Sequence, residues 1–121
     1  MALVKTTVNT QIGTAVYEDA AATSTKVTLT ASSGSSIHQI LITNTANTHK
    51  VYLRLYTSDP TVGTTDPACI FPCEAGATSE YSFSAPLGLA KVYYAVCQEA
   101  GTADSTTPAN AITVKFVTSG I

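Results

Sequence analysis

Charge is scarce in this chain. Six Lys and Arg and eight Asp and Glu make up 12% of 121 residues, where a soluble domain ordinarily carries about a quarter. With a net charge of −2 there is no basic stripe of the kind nucleic-acid binding requires, so no nucleic-acid partner is expected. Tryptophan is missing altogether, which weakens any reading as a sugar-stacking platform. No apolar run is long enough to cross a bilayer as a helix. Met1–Lys5 lacks the charged-then-apolar order of a secretion signal, so no membrane partner is expected either. Strong helix formers are few, and composition therefore disfavours an α-rich fold.

Catalytic signatures are also missing. The sequence holds no Gly-x-Ser-x-Gly elbow, no Walker-type phosphate loop and no Rossmann glycine fingerprint. His38 and His49 stand at either end of one candidate hairpin and read as solvated or hydrogen-bonded edge histidines. The acids are scattered, with Asp59, Asp66, Glu74 and Asp104 in turn-like segments where such residues suit the backbone. They form neither a catalytic pair nor a calcium loop. The expectation is a protein that is not an enzyme and has no cofactor and no metal.

Three cysteines, Cys69, Cys73 and Cys97, are an odd count without a visible signal peptide, which points to reduced thiols in a cytosolic compartment. At roughly 3.3 Å per residue an extended strand would hold Cys69 and Cys73 about 13 Å apart, beyond disulfide reach. Only a tight turn at Phe71-Pro72 would let them meet.

What the chain has in quantity is Thr and Ser, 21 and 11 residues. Threonine is β-branched and suits a pleated surface. The length fits one domain, residues 1–121, with residues 1–10 as an extended N-terminal arm. Thr6–Glu18 reads as a first strand or arm in which Gly13 permits a bulge, and Glu18–Thr25 as a short helical turn or loop. Lys26–Thr30, Ile37–Asn44, Val51–Thr57, Cys69–Phe71, Glu80–Ser84, Lys91–Gln98 and Ala111–Val117 read as strands. Ala31–Ser36 and Ala85–Leu89 read as turns. Asn44–Lys50 reads as the tip of a hairpin whose second arm, Val51–Thr57, returns antiparallel. Seven or eight short strands with regular turn signals predict an all-β antiparallel β-sandwich, jelly-roll-like or immunoglobulin-like.

The best candidate site lies on the strand after that tip. Successive strand residues point to opposite faces, so Val51, Leu53 and Leu55 face a core while Tyr52, Arg54 and Tyr56 face outward. Tyr93 extends the patch if its strand belongs to the same sheet. Tyr and Arg are enriched at protein interfaces, and arginine stacks on tyrosine rings. The bland alternative is that these long side chains only cover the outside of a sheet. The segments Met1–Thr10, Ser58–Ala68 and Glu99–Asn110 are long and polar, and they suit either contacts that order on docking or plain flexible loops.

The run Ile37-His38-Gln39-Ile40-Leu41-Ile42-Thr43-Asn44-Thr45, the polar tip, and Val51-Tyr52-Leu53-Arg54-Leu55 resemble a hairpin of small virion proteins of tailed bacteriophages. The terminal Ile112-Thr113-Val114-Lys115-Phe116-Val117 is similar to theirs as well. These are the capsid cement (decoration) proteins and related β-sandwich domains of heads and tails. The resemblance implies a non-enzymatic role on the capsid surface of the virion, after synthesis in the host cytoplasm. It also implies a homo-oligomer, a trimer, seated on the major capsid protein lattice. The alternative is a tail, neck or fibre component acting as a carbohydrate- or host-binding β module.

Overall fold

The computed structural model describes residues 3–7, 15–30 and 35–120. Among them the chain is all-β. Nine strands run in order: β1 (Leu3–Thr7), β2 (Ala15–Ala22), β3 (Val27–Thr30), β4 (Ser35–Thr43), β5 (Val51–Tyr56), β6 (Cys69–Cys73), β7 (Thr78–Leu89), β8 (Val92–Cys97) and β9 (Ile112–Ser119). All pairings are antiparallel. They build a five-stranded sheet, β1-β2-β9-β4-β7, and a four-stranded sheet, β3-β8-β5-β6. With β1 set aside, each sheet holds four strands, and from β2 onward the chain changes sheet at every step except β5 to β6. That connectivity is the double-sheet jelly roll, and it displaces the immunoglobulin-like alternative.

The core lies between the sheets. The five-stranded sheet contributes Tyr17, Ile37, Ile40, Ile42, Ile112, Val114 and Phe116; the other contributes Val27, Leu29, Val51, Leu53, Leu55, Val92, Tyr94 and Val96. Burial of each large apolar side chain contributes about 1.5–3 kcal/mol. The Tyr94 and Phe116 rings, 5.1 Å apart, tie the layers together. β9 alternates buried and half-buried residues along its whole length, as a strand with one face on a core must. β4 breaks that period, because Ile37 and Ile40 both face inward. The register against β9 shifts by one residue between Ile37 and Gln39, so a bulge at His38 absorbs the extra residue.

Five expectations need correction. The supposed hairpin Ile37–Thr57 spans the two sheets: β4 pairs with β7 and β9, whereas β5 pairs with β6 and β8. Thr6–Glu18 is not one strand, since parts of it belong to the antiparallel pair β1 and β2; Gly13 lies outside the described residues. Within the N-terminal arm, Leu3–Thr7 is a paired strand. Glu18–Thr25 is strand as far as Ala22, because Ala22 is buried in the core, and packing there outweighs the helix propensity of alanine. Ala85–Leu89 is no free turn: β7 continues through it, with Leu87 paired to Ile37 after a wide register shift.

Candidate interaction surfaces

The two outer faces of the sandwich differ. On the four-stranded sheet, Tyr52, Arg54 and Tyr56 do point away from the core, beside Cys97, Ala95 and Tyr93 of β8. They do not form an open face. Arg54 and Tyr56 are buried at 0% and 1% exposure, while Tyr52 and Tyr93 are half-buried. The cover comes from the chain's own loops.

Residues 98–111, between β8 and β9, fold back over Arg54. Its Nη2 donates to the carbonyls of Gly101 (2.6 Å) and Glu99 (2.8 Å), and its Nη1 to Asp104 (2.9 Å) and, more weakly, Thr102 (3.5 Å). The Asp104 carboxylate lies 4.0 Å from Nη2 and accepts the Glu99 and Thr106 amides. Partial burial works against its charge. The Thr106 hydroxyl and amide, the Glu99 amide and Arg54 outweigh that and hold its carboxyl below the ordinary value. Residues 57–68 meet this loop from the other side. Thr102 donates to Asp66 (2.7 Å), and a side chain on Gly63 (φ 98°) would stand 3.4 Å from Ser105. Arg54 Nε and the Tyr56 hydroxyl are the buried side-chain polar atoms among the described residues with no hydrogen-bond partner.

The polar insert Asn44–Lys50 is likewise tied down. Asn44 and Asn47 are buried. Asn44 Nδ2 donates to the carbonyls of His49 (2.9 Å) and Glu74 (3.0 Å). Asn47 donates to Asn44 Oδ1 (2.9 Å) and the Asn110 carbonyl (3.0 Å) and accepts the Asn110 amide (2.7 Å). The Ala109 amide donates to His49 Nε2 (3.2 Å), which leaves Nδ1 to donate to the Lys50 carbonyl (3.1 Å). His38 Nε2 lies 2.8 Å from Ser119 Oγ. Both histidines are thus hydrogen-bonded within the chain.

Between β2 and β3 opens a cleft of about 260 Å³ lined by Asp19, Ala21, Thr23, Thr25, Lys26 and Val27. Its buried carboxylate is engaged, since Asp19 accepts the Tyr94 hydroxyl (2.7 Å) and the Ala21 amide (3.0 Å). Burial and then that bond to Asp19 push the Tyr94 phenol far above its ordinary range. Lys26 pairs with Asp59 at 2.6 Å. Among the described residues no three His, Cys, Asp or Glu side chains gather as a metal site would need. All three cysteines are free thiols; Cys73 and Cys97 are buried and Cys69 is half-buried.

The outer face of the five-stranded sheet is different in kind. Cross-strand register places Val4, Glu18, Lys115, Leu41 and Glu80 in one row and Thr6, Val16, Val117, Gln39 and Ser82 in the next. Val4 is 61% exposed, and Val16, Leu41 and Val117 are half-buried. Glu18 and Lys115 approach to 3.9 Å, and Gln39 donates to Glu80 (2.9 Å). This is a shallow aliphatic strip in which Glu18 pairs with Lys115 and Glu80 accepts from neutral Gln39. Sequence reasoning missed it because its members sit on four different strands. The one available signal was Leu41, an apolar residue between the inward-facing Ile40 and Ile42. Comparison of the chain with protein-family models, curated proteins and solved structures gave no match in any of the three.

Proposed function

We propose that this chain is a non-enzymatic structural protein of a phage virion, a capsid cement protein that docks on the major capsid protein lattice through the outer face of its five-stranded sheet. The observation that carries the reading is the asymmetry of the sandwich. One outer face is closed by the chain's own loops, with Arg54 as their anchor. The other presents Val4, Val16, Leu41 and Val117 around the Glu18–Lys115 pair. Tyr52 and Tyr93 remain as half-buried residues at the rim of the closed face.

The jelly roll is an architecture of viral capsid and lectin domains, which supports the reading by fold analogy. The likeness of the strand sequences Ile37–Thr45, Val51–Leu55 and Ile112–Val117 to those of cement proteins suggests the partner, although the first two runs lie in different sheets here. Each copy would add a modest apolar contact, and repetition over a lattice converts weak contacts into firm attachment. The tail- or fibre-borne carbohydrate module is weaker, because burial of Tyr56 removes one ring from its stacking platform.

Sedimentation of the purified protein with expanded phage capsids stripped of accessory proteins tests the proposal. Wild-type protein should pellet with the capsids and Leu41→Glu should stay in the supernatant. Wild-type protein that remains soluble at saturating concentration refutes it.

A further inference from the structure

Four strands end the two sheets, and three of those edges are blunted. β6 carries Pro72 as its fourth of five residues, which cannot donate to a new ladder. β7 contains Pro86, and its register breaks between Ser82 and Leu87. β3 is four residues long with a register shift of its own. Short strands, prolines and bulges are the usual guards against edge-to-edge pairing.

β1 has none of these. Its five residues pair with β2 in unbroken register from Leu3↔Asp19 to Thr7↔Ala15. It contains neither proline nor glycine, and it carries Val4, the more exposed of the two exposed large hydrophobics among the described residues. Its one charge does not guard the edge, since the Lys5 ammonium sits 5.7 Å over the ring of Tyr17 on the strand behind.

We propose that β1 pairs antiparallel with β1 of a second copy about a twofold axis, with Val4 against Val4. A twofold normal to the sheet keeps outer face with outer face, so even-numbered residues must meet even-numbered ones. Of the two central registers, Val4 opposite Thr6 would set the exposed valine against a hydroxyl and Lys5 beside Lys5, so that neither lysine stem gains an apolar neighbour. Val4 opposite Val4 sets Leu3 against Lys5 instead, letting the leucine cover the lysine's apolar stem. The same short segment thus complements itself, as an isologous contact requires. The two five-stranded sheets become one ten-stranded sheet with a continuous outer face.

This goes beyond the cement proposal, and either can fail alone. It gives a dimer where the resemblance implies a trimer. Sedimentation equilibrium of wild-type protein should show a concentration-dependent dimer, and Val4→Lys, which puts two ammonium groups on the axis, should be monomeric and melt at a concentration-independent temperature equal to that of dilute, dissociated wild type. In the chosen register the two Val4 Cα atoms lie roughly 4.5–5.5 Å apart, within disulfide range. With diamide as oxidant Val4→Cys should therefore form a covalent dimer, whereas wild type and Thr6→Cys should not. A wild-type monomer or trimer, or a Val4→Cys chain that stays uncross-linked, overturns the proposal.

Discussion

Replacing Arg54 with alanine removes the group on which the loop of residues 98–111 is hung. Three of its hydrogen bonds are 2.9 Å or shorter. Bonds from a charged donor contribute about 1.5–3 kcal/mol each, which sets the gross loss at roughly 5–9 kcal/mol. Two effects reduce it. The carbonyls belong to a largely exposed loop and regain water once released, and the desolvation of the guanidinium no longer has to be offset. A net loss of about 3–5 kcal/mol is the expected figure, the range for a buried charge cluster that loses one member. For a domain of this length each kcal/mol lowers Tm by about 3–5 °C, so Tm should fall by roughly 10–20 °C. Arg54→Lys keeps the charge but not the planar fork, and about half the loss should remain. Calorimetry gives the Tm. Hydrogen exchange should show residues 98–107 losing protection while β4 and β9 keep theirs. An Arg54→Ala protein melting within about 2 °C of wild type, with that loop equally protected, would refute the assignment of Arg54 as its anchor.

Asn47→Ala should lower stability in urea by about 2–3 kcal/mol, because three bonds within a buried polar cluster are lost and their partners left bare; an unchanged midpoint would mean the cluster is solvated. The raised pKa of Tyr94 favours the folded state below the unfolded tyrosine value near 10, and this contribution is lost as pH rises above that value. Unfolding of wild-type protein above that pH should therefore release the Tyr94 phenolic proton to solvent, a release that Tyr94→Phe lacks, followed by tyrosinate absorbance against pH. Burial pushes the Cys97 and Cys69 thiols up, so an aromatic disulfide reagent should titrate no thiol beyond half-buried Cys69 in native protein and all three in urea. Fast reaction at Cys97 in native protein would show that the loop of residues 98–111 opens.

The fold was largely legible because strand alternation is a local property. Val51, Leu53 and Leu55, Val92, Tyr94 and Val96, and Ile112, Val114 and Phe116 all face the core as their spacing indicates. Pairing was not legible, since the polar segment Asn44–Lys50 looks the same whether it closes a hairpin or crosses between sheets. The Asn44, Asn47 and Asn110 cluster that settles it brings together residues 63 positions apart. The candidate site was read correctly for direction and wrongly for exposure. Tyr52, Arg54 and Tyr56 point outward as alternation requires, but the loop that covers Arg54 does so with backbone carbonyls. Any sequence can supply carbonyls, so no residue in Glu99–Asp104 announces the contact. The end of β2 was obscured for a different reason: Ala20, Ala21 and Ala22 carry a helical preference that burial of Ala22 overrides.

Carboxyl labelling of the capsid-bound protein, read by mass spectrometry, tests most directly which face makes contact. Glu18 and Glu80 stand on the open sheet face, whereas Asp59, Asp66 and Glu99 stand on the loops over the opposite one. Binding should protect Glu18 and Glu80 and leave the other three as reactive as in free protein. Protection of Asp66 and Glu99, with Glu18 and Glu80 still labelled, would contradict the docking face argued for above.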